Sequence, residues 1–317
     1  MKRLLALIMT SLMLLSLCAC SAADDGKYSI GIVQLMQHVA LDQATQGFQD
    51  ALKEKLGDKV TFDVKLASGE TTNCTTIVTK FVNDKVDLIM ANATPAVIAA
   101  KEATATIPII GTSVTDYVSA EAAIVASNEA PGGNVTGYSD MSDIAAHVDL
   151  TKKLCPDAKT VAIIYCSAEP NSVIQGGQAK TLYEAAGFAT VTLTASDVTT
   201  ISTVVTSACD QADVIYIPTD NLFAENMEAV KNIAEPAKIP VITGEGGMAQ
   251  AGGTASVAID YYVLGYRAGE MAYEILVNGA NPATTPIGFM TADDMELIIN
   301  EANVAAIGLT IPDELKK

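Results

Sequence analysis

The strongest constraint in this chain is an alternation. Apolar runs of strand length recur at 28–34, 60–66, 86–90, 107–110, 161–165, 189–193, 214–217 and 239–243. Stretches with apolar residues at helical spacing separate most of them, at 75–83, 95–105, 144–154, 172–186, 201–211 and 222–235. Another carries Ala44, Phe48, Ala51 and Leu52 and stops at Gly57. Runs that are apolar throughout fit strands buried on both faces. Kept up from residue 28 to residue 243, this rhythm implies an α/β fold of doubly wound parallel sheets covered by helices.

The 317 residues are long for one domain of about 100–200 residues. The strongest mid-chain break is 131–137, Pro-Gly-Gly-Asn-Val-Thr-Gly, with four strand runs before it and four after. Two similar parallel-sheet lobes are expected, with one large sheet as the alternative. Half the residues are apolar and only 18% are charged, which excludes a disordered chain. Nucleic acid is excluded as a partner by 37 acidic against 19 basic residues. With two histidines, His38 and His147, and no Cys-x-x-Cys pair, no metal site is expected.

Lys2 and Arg3 precede a 14-residue apolar stretch, Leu4 to Leu17. A spanning helix takes about 20 residues, so this one reads as the core of a secretory signal. Leu17-Cys18-Ala19-Cys20 resembles a bacterial lipobox, with Cys20 as the lipidated residue. Cys18 does not fit, because bulky Leu17 would then stand at −1. The expectation is a signal peptide over 1–19, a tether over 20–27, and a body anchored by lipid outside the cytoplasmic membrane. Cys74, Cys155, Cys166 and Cys209 remain, and thiols are expected over disulfides.

In parallel α/β sheets, ligands bind beyond the carboxyl ends of the strands. Five loops there carry cap donors and isolated acids: 91–95, 111–116, 166–172, 218–221 and 243–247. Thr94 reads as an N-cap with Pro95 at the first helical position, and Ser172 with Gln175 as a capping box. Donors for a carboxylate beside acids for an ammonium suit a zwitterion. Such loops are also what ordinary turns look like. His38 lies in the loop after the first strand, where a ligand contact and a structural role stand equal, and His147 reads as a solvated or capping residue. No phosphate-binding loop, nucleophile elbow or local carboxylate pair is present, so neither an enzyme nor a cofactor is expected.

Taken in order, these segments resemble the solute-binding lipoproteins of ABC importers of the tryptophan/tyrosine (TrpX-like) type, which have a type I periplasmic-binding-protein fold. The likeness runs from about Tyr28 to Pro312. It rests on Ile30-Gly-Ile, Ala40-Leu-Asp42, Asp87-Leu-Ile89, Ala93-Thr-Pro95, Ile107-Pro-Ile109, Val114-Thr-Asp116 and the 131–137 segment. Ser139-Asp140, Asn171-Ser172, Pro218-Thr-Asp-Asn221, Ile259-Asp-Tyr-Tyr262 and Gly265 continue it.

The resemblance implies two lobes joined by three crossovers, near residues 138–140, 258–260 and 284–287, with the ligand enclosed between them. Lobe 1 would comprise 28–138 plus 259–285, and lobe 2 would comprise 139–258 plus 286–317. It implies a monomer that closes on an aromatic amino acid, tryptophan or tyrosine, and delivers it to a permease with ATPase subunits. The implied contacts are Gln34, Gln37, His38, Leu41, Asn92, Thr94, Thr112, Asp116, Ser167, Asn171 and Ser172. Asp220 is the implied ammonium partner, with Glu245 and Asp260 in reserve; Thr94 and Ser172 would take the carboxylate. Gln37-His38-Val39 departs from the usual Glu-His-Pro, Asp116-Tyr117-Val118 from Asp-Pro-Val, and residues 66–69 from Asn-Ala-Gln-Gly. A nucleoside or another small amino acid stands as the alternative ligand, and a surface adhesin or sensor as the alternative role.

Overall fold

The computed structural model describes residues 26–119 and 122–316. The expected signal peptide, Cys20 and most of the expected tether lie outside the described residues. The chain opens with β1 (Tyr28–Gln34), α1 (Val39–Leu56), β2 (Val60–Leu66), α2 (Thr71–Asp84), β3 (Leu88–Asn92), α3 (Thr94–Ala103), β4 (Ile109–Val114) and β5 (Val135–Ser139). There follow α4 (Ile144–Leu154), β6 (Thr160–Cys166), α5 (Pro170–Ala185), β7 (Ala189–Ala195), α6 (Ile201–Gln211), β8 (Val214–Ile217), α7 (Asn221–Glu225), α8 (Met227–Ala234), β9 (Val241–Thr243), α9 (Gly246–Ala251) and β10 (Ala255–Ile259). The last elements are α10 (Tyr261–Leu276), β11 (Gly288–Phe289), β12 (Met295–Ile299) and α11 (Glu301–Ile307).

Two six-stranded sheets form, one in the order β11-β5-β4-β3-β1-β2 and the other β12-β10-β9-β8-β6-β7. Every pairing is parallel except that of β10 with β12. The fold is thus two doubly wound α/β lobes. The central strands are buried along their whole length, which is why their sequences show no polar alternation. Each sheet has an apolar layer on both faces. In the first, Phe81 and Val97 lie on one side and Phe48 and Ile275 on the other. In the second, Val205 and Phe223 lie opposite Leu154 and Tyr183.

β5 forms where the sequence shows no strand run, because glycine and threonine dilute its apolar character. β11 corrects one lobe boundary: Gly288 and Phe289 pair with Tyr138 and Ser139 of the first sheet, and the Ile287 N–H bonds the Asn128 carbonyl. The third passage between sheets therefore falls at 290–294 rather than at 284–287. A two-residue strand beginning with glycine carries too little pattern to be read.

α10 returns to the first sheet and lies against α1 at backbone contact. A Cβ on Gly265 would collide with the Ala44 carbonyl, and one on Gly47 with the Tyr262 carbonyl. Arg267 of α10 forks onto Asp294 at 2.9 and 2.6 Å, pinning the third passage. Among the described residues, no helix is long and apolar enough to cross a membrane.

Candidate functional site

The parallel sheets turn their carboxyl ends toward each other, and the loops leaving those ends meet across a cleft. Gln175 Nε2 of α5 donates to the Thr115 hydroxyl, beyond β4, at 2.8 Å. His38, which stands before the first turn of α1, places Nε2 3.1 Å from Asn221 Oδ1 at the start of α7. Its Nδ1 lies 3.7 Å from a Glu245 oxygen. At the outer edge, Met36, Pro95, Glu169, Val198 and Leu222 line a cavity of about 480 Å³.

Four carboxylates are buried where the lobes meet. Asp140, Glu169, Asp220 and Glu245 are only 1–7% exposed. No lysine or arginine pairs with any of them among the described residues. Burial therefore acts with little compensation. It pushes the Asp140 carboxyl up to about 6. Burial and the Glu169 charge push Asp220 up to about 7. Glu245 rises well above the usual carboxylate range through burial first, then through Asp140, Asp220 and Glu169. Burial lowers His38, so its imidazole is neutral at pH 7. Despite these acids, no cluster among the described residues is arranged to hold a metal ion.

Around the acids lie buried polar atoms without a protein partner: His38 Nδ1, Asn92 Oδ1, Thr94 Oγ1, Thr112 Oγ1, Ser113 Oγ, Asn171 Oδ1 and Thr219 Oγ1. Each such atom costs about 1–3 kcal/mol unless something else pairs with it. They come from both lobes, from the last residues of β3 and β4 and from the loops and first helical turns that follow β1, β3, β6 and β8. The arrangement offers buried donors and acceptors to a small polar molecule, with an excess of negative charge to face a cation.

Of the residues expected at the site, His38, Asn92, Thr94, Thr112 and Asn171 carry these unpaired atoms. Glu245 adjoins them through His38. Others have structural work to do. Gln34 is tied to Met36, Asp42 and Thr45. Leu41 sits in the first-lobe core and accepts from Asn92 through its carbonyl. Asp220 caps α7 by accepting from the Phe223 N–H and takes the Cys166 N–H on its other oxygen. Ser172 is buried beside Asn171, which donates to its hydroxyl at 3.2 Å. Asp116 closes a turn by accepting from Val118 and Ser119. Asp260 is an exposed cap of α10. Ser167 and Gln37 are exposed, and Ser167 donates to the Ala195 carbonyl.

Two helix starts lie elsewhere than expected. The α3 cap is Ala93, at φ +96°, not Thr94, and no side chain caps it. Glu169, not Ser172, precedes α5, and Gln175 crosses to the other lobe instead of closing a capping box. His147 is fully buried rather than solvated: its Nε2–H donates to the Val257 carbonyl at 2.9 Å, and Nδ1 faces the Tyr216 hydroxyl at 3.3 Å. Asp140, Glu169, Thr219 and Tyr261 are buried at the site as well, beyond the residues the sequence points to. Buried acids follow β5, β6, β8 and β9, and it is their burial, which sequence does not display, that marks the site. Cys74, Cys155, Cys166 and Cys209 are free thiols.

Comparison with known proteins bears on this geometry. A family model described as ABC transporter substrate binding protein matches residues 29–317. The chain is 37% identical over 325 residues to a "Tyrosine-binding protein" of Clostridioides difficile strain R20291, covering 97% of this chain and 93% of that protein. Among solved structures it is similar to an ABC domain from Streptococcus pneumonia in complex with L-Trp. That similarity has a TM-score of 0.87 at 33% identity and covers 91% of this chain and 97% of the other. It is also similar to the ligand-free, open structure of a substrate binding protein with adhesive properties from Clostridium difficile. There the TM-score is 0.69 at 37% identity, over 90% of this chain and 96% of the other. With both the family model and the relative spanning nearly all of its described length, the chain belongs to the ABC transporter substrate-binding protein family.

Proposed function

We propose that this protein captures a free aromatic amino acid, tyrosine or tryptophan, between its lobes and delivers it unchanged to an ABC permease. The observation that carries the reading is the set of unpaired buried polar atoms from both lobes, grouped around acids that have no lysine or arginine beside them. An amino acid supplies what that arrangement lacks. Its carboxylate accepts from the uncapped start of α3, with the Thr94 hydroxyl beside it. Its ammonium faces the acids, Glu245 foremost, because Glu169 and Asp220 already accept backbone N–H bonds. The ring takes the less polar wall of Leu35, Met36, Pro95 and Leu222.

The relatives support the choice of ligand, since one is described as tyrosine-binding and another was solved with L-Trp. Its shape lies nearer the L-Trp complex than the ligand-free, open relative, although identity to the latter is higher. That difference fits lobes closed on one another. The remaining parts of the proposal are a lipid on Cys20, residence outside the membrane, a monomer, lobe 1 over 28–138 plus 259–285 extended through β11, and lobe 2 over 139–258 and from β12 onward. Permease and ATPase partners follow from the family's role, and a cleft built to bind and release has no need of catalysis.

Thermal unfolding in the presence of each of the twenty amino acids and several nucleosides tests the proposal. At a concentration 100 times its dissociation constant, the true ligand adds about 2.7 kcal/mol of stability. Tyrosine or tryptophan should give the largest shift; stabilisation by nucleosides alone, or by nothing, would refute it.

A further inference from the structure

The hydrogen carried by one imidazole decides how the site meets an amine. We propose that His38 of lobe 1 and Glu245 of lobe 2 share the ligand's ammonium, His38 through the lone pair of Nδ1. The ammonium then bridges the lobes and selects free amino acids. This deepens the amino-acid reading above and rests on it.

The tautomer follows from the groups around Asn221. Glu169 is met by four N–H donors, from the Asn171 and Asn221 side chains and the Asn221 and Leu222 backbones. The Asn221 side chain therefore turns its amino end to Glu169; a reversed amide would set oxygen against carboxylate. Its Oδ1 is left facing His38 Nε2 at 3.1 Å. An amide oxygen only accepts, so Nε2 carries the hydrogen. Burial outweighs the Asn221 bond and the Asp42 charge, which keeps the ring neutral at pH 7. Nδ1 is then a bare acceptor.

Among the described residues nothing pairs with it. His38 stands before the first turn of α1 without capping it, so no N–H of that helix bonds the ring. Nδ1 is buried and faces a Glu245 oxygen 3.7 Å away, the two side chains being 6% and 2% exposed. Two acceptors held together out of water repel, and each lacks a donor. One donor atom about 2.9 Å from each satisfies both, provided it carries at least two hydrogens.

An α-ammonium has three, and brings the positive charge that the acids lack. A proton on Glu245 would fill the same gap, but would cancel the charge that attracts the ammonium. The neighbouring acids have donors already: Asp220 accepts from the Cys166 and Phe223 N–H groups, and Asp140 from Tyr261 and Thr115. A hydroxyl or an acylated nitrogen has a single hydrogen and leaves one acceptor unpaired. A free amino acid is therefore taken ahead of its α-hydroxy analogue and its N-acyl derivatives.

Calorimetry with tyrosine and with its des-amino analogue, which lacks only the amine, tests the assignment in the whole protein. His38→Gln keeps an N–H for Asn221 and removes the acceptor at Nδ1. It should weaken tyrosine binding by at least about tenfold, the usual loss for a hydrogen bond to a charged group, and weaken the analogue far less. Equal losses for the two, or none, would overturn the proposal: His38 would act on closure alone, and the amino-acid reading would stand. If neither tyrosine nor tryptophan binds the wild-type protein, the amino-acid reading falls and this proposal with it. Should the variant fail to fold, or the analogue bind too weakly to measure, nitrogen NMR of the histidine-labelled wild type decides. With two histidines in the chain, His147→Gln assigns the signals. The tyrosine complex should show the His38 hydrogen on Nε2 and an Nδ1 signal that moves when tyrosine is added. A hydrogen on Nδ1 or on both nitrogens, or an Nδ1 signal unmoved by tyrosine, overturns the proposal.

Discussion

Thr112 bears a cost that only a partner from outside can offset. Its side chain is fully buried at the end of β4, yet its hydroxyl bonds to nothing in the protein. Valine has the same shape without the hydroxyl. The ligand-free Thr112→Val protein should therefore melt at the same temperature or higher, while tyrosine or tryptophan binding weakens by about 1–2 kcal/mol. Calorimetry and thermal unfolding on one preparation check both halves; a lower melting temperature with unchanged affinity would make Thr112 a core residue only. His147 is the opposite case, a polar group satisfied inside the fold. Burial pushes its imidazole down to about 4. On unfolding it binds a proton that the folded protein excludes, so stability drops as pH falls from about 6.5 toward that value, by roughly 3 kcal/mol from this group. Because the raised Asp140 and Asp220 act in the opposite sense over this range, the drop is read as the difference between wild type and His147→Gln in urea unfolding at pH 7.5 and 4.5.

Among the elements, the α1–α10 pair is the most tightly fitted. Gly265 and Gly47 let the two backbones touch, and a methyl group at 265 has nowhere to go. Gly265→Ala should cost at least about 1–3 kcal/mol, the usual range for overpacking, seen as a lower melting temperature with ligand selectivity unchanged. Most elements were legible because β1, β3, β4, β6 and β8 are continuous apolar runs between helical periods. β11 and β12 were not: one is two residues long, and the other mixes Glu296 with partly exposed apolar residues. The cleft loops were legible as loops, but their pairings were not. Gln175 meets Thr115 60 residues away, and Tyr261 meets Asp140 across 121 residues. Local capping patterns fail at such a site, because Gln175 is drawn across the cleft by a partner that no local window contains.

At the scale of the whole molecule, the lobes touch through a few bonds such as Gln175–Thr115 and His38–Asn221, with three passages of chain behind them. A ligand contacting both lobes shifts such a pair toward the closed form. Small-angle scattering should show the radius of gyration fall when tyrosine or tryptophan is added and remain unchanged with a non-binding amino acid. The chain passes between the lobes at 139–143, 259–260 and 290–294, and Arg267 with Asp294 ties the third of these to α10. The placement of α10 has a temporal side too. Strands β6 to β10 arise from one unbroken stretch of chain, so that sheet's centre has all its pieces by Ile259. The other sheet waits for a helix that ends at Leu276 to cover α1, so the half of the protein made first stays uncovered until the centre of its neighbour has been made.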